Sequence, residues 1–175
     1  QRVAAGPGVG DGDGLVAARL LAASSPAQVR VYLLKKRPDD DPLLAAVRAA
    51  GVFIADAEDD QRYRVLSHMI SSANLVIDAL FGIGVQLPLR DEVVKFLRAA
   101  RAAINGSERG EENLEGSIFY PTDPTTVEHI TRPYILAVDC PSGLDCDTGA
   151  VDPHTLTADE TITFIAVKPG LLTYP

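Results

Sequence analysis

The chain has 175 residues, enough for one domain with a sizeable core, and its 46% hydrophobic and 23% charged residues make an ordinary soluble composition. Sixteen basic residues against 24 acidic ones leave a net charge of −8, which disfavours a nucleic-acid backbone as partner. No run of about 18 apolar residues is present and the N-terminus lacks the build of a signal peptide, so neither a membrane span nor secretion is expected.

In chain order, Arg2–Ala5 reads as the end of a strand entering a turn at Gly6-Pro7-Gly8. Glycine recurs at 6, 8, 10, 12 and 14, too often for the interior of a strand or helix. The alanine- and leucine-rich stretch from Leu15 is helical, and Val29, Val31 and Leu33 alternate as in a strand. Pro42 sits at the start of a helix that Gly51 caps. Val52-Phe53-Ile54 reads as a short buried strand, and residues 60–72 as a helix. Asn74–Leu80 is apolar toward both faces, the pattern of a strand in a parallel sheet covered by helices. Val94, Leu97, Ala100 and Ile104 fall at helical spacing over 91–104. Residues 105–131 are polar and turn-rich and read as a long loop insertion. Tyr134–Val138 reads as another doubly buried strand and Thr161–Val167 as the last one. This alternation implies one α/β domain, a mostly parallel sheet with helices on both faces. Both ends of the chain look cut from something longer, since it opens on Gln1 and stops at Pro175 soon after a strand and turn.

Ligands of such a sheet bind outside the carboxyl ends of its strands, and several of those ends carry polar residues. The glycine loop GPGVGDGDG at 6–14 allows close backbone approach before a helix N-terminus, but it has neither a P-loop Gly-Lys-Ser/Thr nor a clean G-x-G-x-x-G. Asp11 and Asp13 place negative charge there, which a bound cation could offset, and the plain alternative is a tight strand-to-helix turn. A calcium loop is a weaker alternative, since the later ligands of an EF-hand are missing. Asp78 ends an apolar strand and needs hydrogen bonds or a cation; otherwise it caps a neighbouring turn. Asp139 follows a buried strand, and Pro141-Ser142-Gly143 turns sharply after it, placing Asp139 and Ser142 side by side at the sheet edge. Asp145 and Asp147 read as turn formers. Lys168 ends the last strand, where it could neutralise a phosphate, tune a carboxylate or simply face solvent. Cys140 and Cys146 read as reduced thiols of a cytosolic protein, and neither they nor the three histidines show zinc-ligand spacing.

Four ordered motifs, GPGxxxGDGLVAAR, VIDALFGIG, VDCPSGLD and ADETITF followed by KPG, resemble the NAD(P)H-hydrate epimerase family, the YjeF N-terminal domain, from Gly6 to Gly170. The resemblance implies a three-layer α/β/α Rossmann-like sandwich and interconversion of the R and S forms of hydrated NADH and NADPH. It implies substrate contacts from Val9, Gly10, Asp11, Gly12 and Asp13, and from the loop Gly82, Ile83, Gly84, Val85, Gln86, Leu87 and Pro88. It makes Asp139 the substrate-contacting acid or base with Lys168 assisting, and assigns a potassium ion to Gly10, Asp78 and Ser142. As partners it implies a fused or separate NAD(P)H-hydrate dehydratase and admits a homodimer. The loop departs from the family's Gly-x-Gly-Asn-Asn-Gly-Gly-Asp-Gly: Val9 and Gly10 stand at the two Asn positions and Asp11 at a Gly. A domain of this fold that binds or scaffolds without catalysis is the alternative expectation.

Overall fold

A computed structural model describes residues 2–7, 12–108 and 132–174. The elements in order are β1 (Arg2–Pro7), α1 (Asp13–Ser24), β2 (Gln28–Leu33), α2 (Pro42–Ala49), β3 (Phe53–Asp56), α3 (Arg64–Ser71), β4 (Leu75–Ala79), α4 (Asp91–Glu108), β5 (Tyr134–Val138) and β6 (Glu160–Ile162). All six strands pair in parallel in the order β3-β2-β1-β4-β5-β6. The order reverses between β1 and β4, the switch point at which a Rossmann-like sheet opens a crevice.

Strand alternation sorts the core into two layers. From β2, Val29, Val31 and Leu33 pack with Leu15, Leu44 and Val47 of α1 and α2, while Tyr32 turns to Met69 and Phe96 of α3 and α4. β4 divides the same way, Ile77 joining the first layer and Val76 the second. These two layers with the sheet between them are the α/β/α sandwich that the alternation implies.

The helix signals act through identifiable bonds. Asp41 accepts the amides of Leu43 and Leu44 at 2.9 and 3.1 Å and Pro42 opens α2, while Gly51 ends it at φ +73°. Gly12, at φ +87°, is the N-cap of α1, which begins at Asp13, two residues before Leu15. The stretch 60–72 is not one helix: a 3-10 turn over Gln61–Tyr63, with Arg62 and Tyr63 in the left-handed region, precedes α3. Buried Asp60 bridges that break, accepting the amides of Val65 and Leu66 at 3.0 and 2.9 Å and the Tyr32 hydroxyl at 3.1 Å. Burial, and then the Asp60 charge, pushes the Tyr32 phenol far up, so it stays a donor. Asp60→Ala strands three donors and should cost about 2–3 kcal/mol in denaturant unfolding; an unchanged midpoint would contradict this role.

Four expectations change. Phe53 is 55% exposed, because β3 is an edge strand and not a buried one. β5 leaves Tyr134 46% exposed and Leu136 and Val138 only partly buried, so one of its two faces is incompletely covered. The last strand stops at Ile162, and the Phe164 N–H leaves the ladder for Asp139. α4 runs through Asn105 and Gly106 to Glu108; the rest of the 105–131 insertion, 109–131, lies outside the described residues.

Candidate active site at the carboxyl edge

The strands β4, β5 and β6 deliver polar residues to one edge through different backbone devices. Asp78 lies inside β4, in register with Gly6 of β1 and Ala137 of β5. By alternation it shares the Val76 face, at the margin of an apolar cavity lined by Tyr32, Phe96 and Leu156. Burial pushes its carboxyl up, opposed by the Ser142 hydroxyl at 2.5 Å, the Ser142 amide at 2.8 Å and the Leu80 amide at 3.3 Å. Its donors among the described residues are all neutral. Ser142 is fully buried and turned inward to Asp78, 64 residues away in sequence, and no bond joins it to Asp139.

Asp139 is held by a different device. It sits at φ +68°, with the Cys140 amide bonded to the Val138 carbonyl at 2.9 Å, a tight three-residue turn rarely adopted by a side-chain-bearing residue. Its own amide donates to the Ile162 carbonyl at 2.7 Å, locking the end of β5 onto β6. Across that junction Oδ1 of Asp139 receives the Lys168 ammonium, the Phe164 amide at 3.3 Å and the Thr163 hydroxyl at 3.3 Å. The Lys168 Nζ also donates to Thr163 Oγ1 at 2.7 Å and to the Phe164 carbonyl at 3.0 Å. Partial burial raises the Asp139 carboxyl, but the Lys168 bond, the Phe164 amide, the Lys168 charge and the Thr163 hydroxyl outweigh it and hold it below the usual carboxylate range. Oδ2 has no donor among the described residues and lies where a Cβ on Gly82 would come within 3.8 Å. A second tight turn follows, with Ile165 at φ +66° and its side chain fully exposed.

Of the expected substrate-binding residues, Gly82, Ile83, Gly84, Val85, Gln86, Leu87 and Pro88 follow β4 on this edge, with Gly82 facing Asp139 and Ile83 63% exposed. Gly12 and Asp13 stand at the start of α1, Asp13 exposed. Val9, Gly10 and Asp11 lie outside the described residues. Asp145 accepts the amides of Asp147 and Thr148 at 3.0 Å each, as a turn former does. Among the described residues no group of three or more His, Cys, Asp or Glu is arranged to hold a metal ion.

Cys140 and Cys146, read as thiols of no particular relation, are both buried and meet sulfur to sulfur, placed as a disulfide pair. Spacing alone hid this, because the turn at 141–144, closed by the Leu144 amide on the Pro141 carbonyl at 3.1 Å, folds the chain back on itself. The sequence reading also missed Thr163. Its signal is faint: the second of two threonines in TITF, between a strand and the lysine it serves.

The model of the YjeF-related protein N-terminus matches residues 2–170. A bifunctional NAD(P)H-hydrate repair enzyme of Thermofilum pendens is 36% identical over 180 residues, covering 99% of this chain and 28% of that protein. NAD(P)H-hydrate epimerases of Microbacterium testaceum and Clavibacter sepedonicus are 37% and 35% identical, covering 97% and 99% of this chain and 54% and 65% of theirs. The chain therefore spans between about a quarter and two thirds of these relatives' lengths. A yeast protein of known crystal structure shares the fold with a TM-score of 0.70 at 20% identity, covering 99% of this chain and 61% of its own. With nearly its whole length matched by that model, and its motifs meeting at one sheet edge, the chain belongs to the YjeF-related protein N-terminus family.

Proposed function

We propose that the chain is an NAD(P)H-hydrate epimerase, interconverting the R and S forms of hydrated NADH and NADPH. The observation that carries the reading is Asp139, held ionised by Lys168 in a strained turn with one carboxylate oxygen open. A domain retained only for binding gives no reason for a carboxylate held in a strained turn beside a lysine.

Epimerisation requires the hydrated carbon to break and remake one of its bonds, to the hydroxyl or to the ring nitrogen; a base serves the second course, taking the hydroxyl proton as the carbon–nitrogen bond opens to an aldehyde, passing it to the nitrogen, and returning it to the oxygen when the ring closes on the opposite face. Asp139, below the usual carboxylate range, serves as the base and not as an acid that starts protonated. Lys168 supplies the charge that keeps it ionised. The loop 82–88 and the start of α1 flank the substrate, and the helix N-terminus favours its phosphates.

The potassium assignment has partial support in the donor set. Asp78 is a buried carboxylate whose donors among the described residues are all neutral, and the Ser142 oxygen beside it is of the kind such a cation takes. Asp78 and Ser142 would hold the ion, with the Gly10 segment as a further contributor. When bound, it would supply positive charge near the substrate's phosphates. A dehydratase acting on the same hydrates, fused or separate, is the partner this reading implies.

The test is direct. The separated R and S hydrates of NADH are mixed with the purified chain and followed by chromatography, with and without potassium. Interconversion well above the spontaneous rate is expected, faster with potassium. A rate equal to the spontaneous one in both arms removes the enzymatic reading.

A further inference from the structure

We infer that Thr163 is a positioning residue that, together with Lys168 and the Phe164 amide, immobilises Oδ1 of Asp139 so that Oδ2 alone exchanges the proton with the substrate. The inference rests on the epimerase reading and adds to it a residue and an atom.

A carboxylate has two equivalent oxygens, and a base free to rotate offers either in varying directions. Here the equivalence is broken. Oδ1 takes three donors, from Thr163, Phe164 and Lys168, while Oδ2 takes none among the described residues. The oxygen without a donor faces Gly82, where a Cβ would lie 3.8 Å away, so no side chain of that residue stands over it. Thr163 has a distinct place in this arrangement. A hydroxyl donates once and accepts, and Thr163 uses both capacities: its proton goes to Asp139 Oδ1 and its oxygen accepts from Lys168 at 2.7 Å. It thereby fixes the lysine and the carboxylate relative to each other, where the ion pair alone would swivel. The ammonium's third bond, to the Phe164 carbonyl at 3.0 Å, completes its donor set. Every protonic position on Lys168 is thus spent within the cluster, so Lys168 holds the base and does not itself deliver a proton.

The experiment compares Thr163→Val, Thr163→Ser and Asp139→Asn with the unaltered chain, measuring kcat and KM for hydrate interconversion across pH. A 13C NMR titration of the Asp139 carboxyl runs beside it. Thr163→Val is expected to lower kcat roughly tenfold with KM nearly unchanged, the scale of one lost positioning bond. Its Asp139 titration should move upward, and Thr163→Ser should restore both. A purely structural role for Thr163 would lower the melting temperature but leave the Asp139 titration in place. If Thr163→Val keeps the unaltered kcat and titration while Asp139→Asn is inactive, the positioning role is overturned and the epimerase reading stands. If Asp139→Asn stays active, both fall.

Discussion

Asp139→Asn is expected to slow interconversion of the hydrate epimers by about 10²–10⁴-fold, the usual contribution of a positioned proton-transfer group. The fold should survive. An amide at 139 keeps an oxygen for the Thr163 hydroxyl and the Phe164 amide, and the turn at φ +68° suits Asn as well as Asp. What disappears is the charge partner of Lys168 and the basic oxygen. The pH dependence follows from the sign of the shift. The folded carboxyl titrates below its unfolded value, so the stability it contributes is present above the unfolded value of about 3.9 and is lost as pH falls through the folded one. The same ionisation governs activity: the base persists down to that lowered value, so the acid limb of kcat/KM belongs below about pH 4 unless the chain unfolds first. An acid limb near pH 6 in the unaltered chain would show that another group is titrating. Circular dichroism and thermal melting of the variant separate lost chemistry from lost structure.

Gly170→Ala should be strongly damaging to this edge. A Cβ there would stand 2.5 Å from the Asp145 carbonyl oxygen and 2.9 Å from the carbonyl carbon and oxygen of Cys146. All three are backbone atoms, so no rotamer change relieves the contact, and the Gly170 amide already donates to the Cys146 carbonyl at 2.7 Å. A cost of about 2–4 kcal/mol is expected, lowering the melting temperature by roughly 5–15 °C. The harm should extend to the site, because Lys168 lies two residues upstream and its grip on Asp139 depends on how closely the segment lies against the 145–146 turn. Activity should therefore fall even well below the melting point. Gly106→Ala is the control: nothing lies within 4 Å of that position in α4, and helix propensity favours alanine by about 1 kcal/mol. Equal melting of the Gly170→Ala variant and the unaltered chain would refute the close approach.

The parts of the fold that were legible in the sequence are those with local causes. Pro42 and Gly51 bracket α2 because a fixed φ and a left-handed cap act within the helix itself. β2 and β4 announce themselves by apolar spacing, since burial by flanking helices selects it residue by residue. The exposure of Phe53 in β3 and of Tyr134 in β5 is hidden for the opposite reason: which strand stands at an edge, and how fully each face is covered, is decided by neighbours and not by the strand. Likewise Asp60 looks like any loop acid until Tyr32 and the start of α3 meet over it. At the site, Asp78, Asp139 and Lys168 stand out as polar residues at strand ends on one edge, and the resemblance puts Lys168 with Asp139 and Asp78 with Ser142; the side-by-side placing of Asp139 and Ser142 is what the structure changes. Asp139 and Ser142, three residues apart, turn to separate partners, one to Lys168 and the other to Asp78. Thr163 joins Asp139 across 24 residues, a meeting that no local pattern encodes.

β6 is three residues long and forms the outer margin of the sheet. Strand ends in that position open first, in sub-global fluctuations that leave the rest of the domain intact. Yet the Ile162 carbonyl holds the amide of Asp139, and the residues just after it carry every group on Oδ1. The base is thus set by an edge of the sheet rather than by its centre. Warming or mild denaturant will detach the margin before the core yields, giving a population that is folded by global measures and chemically silent. The working range of the site is narrower than the range over which the domain remains folded.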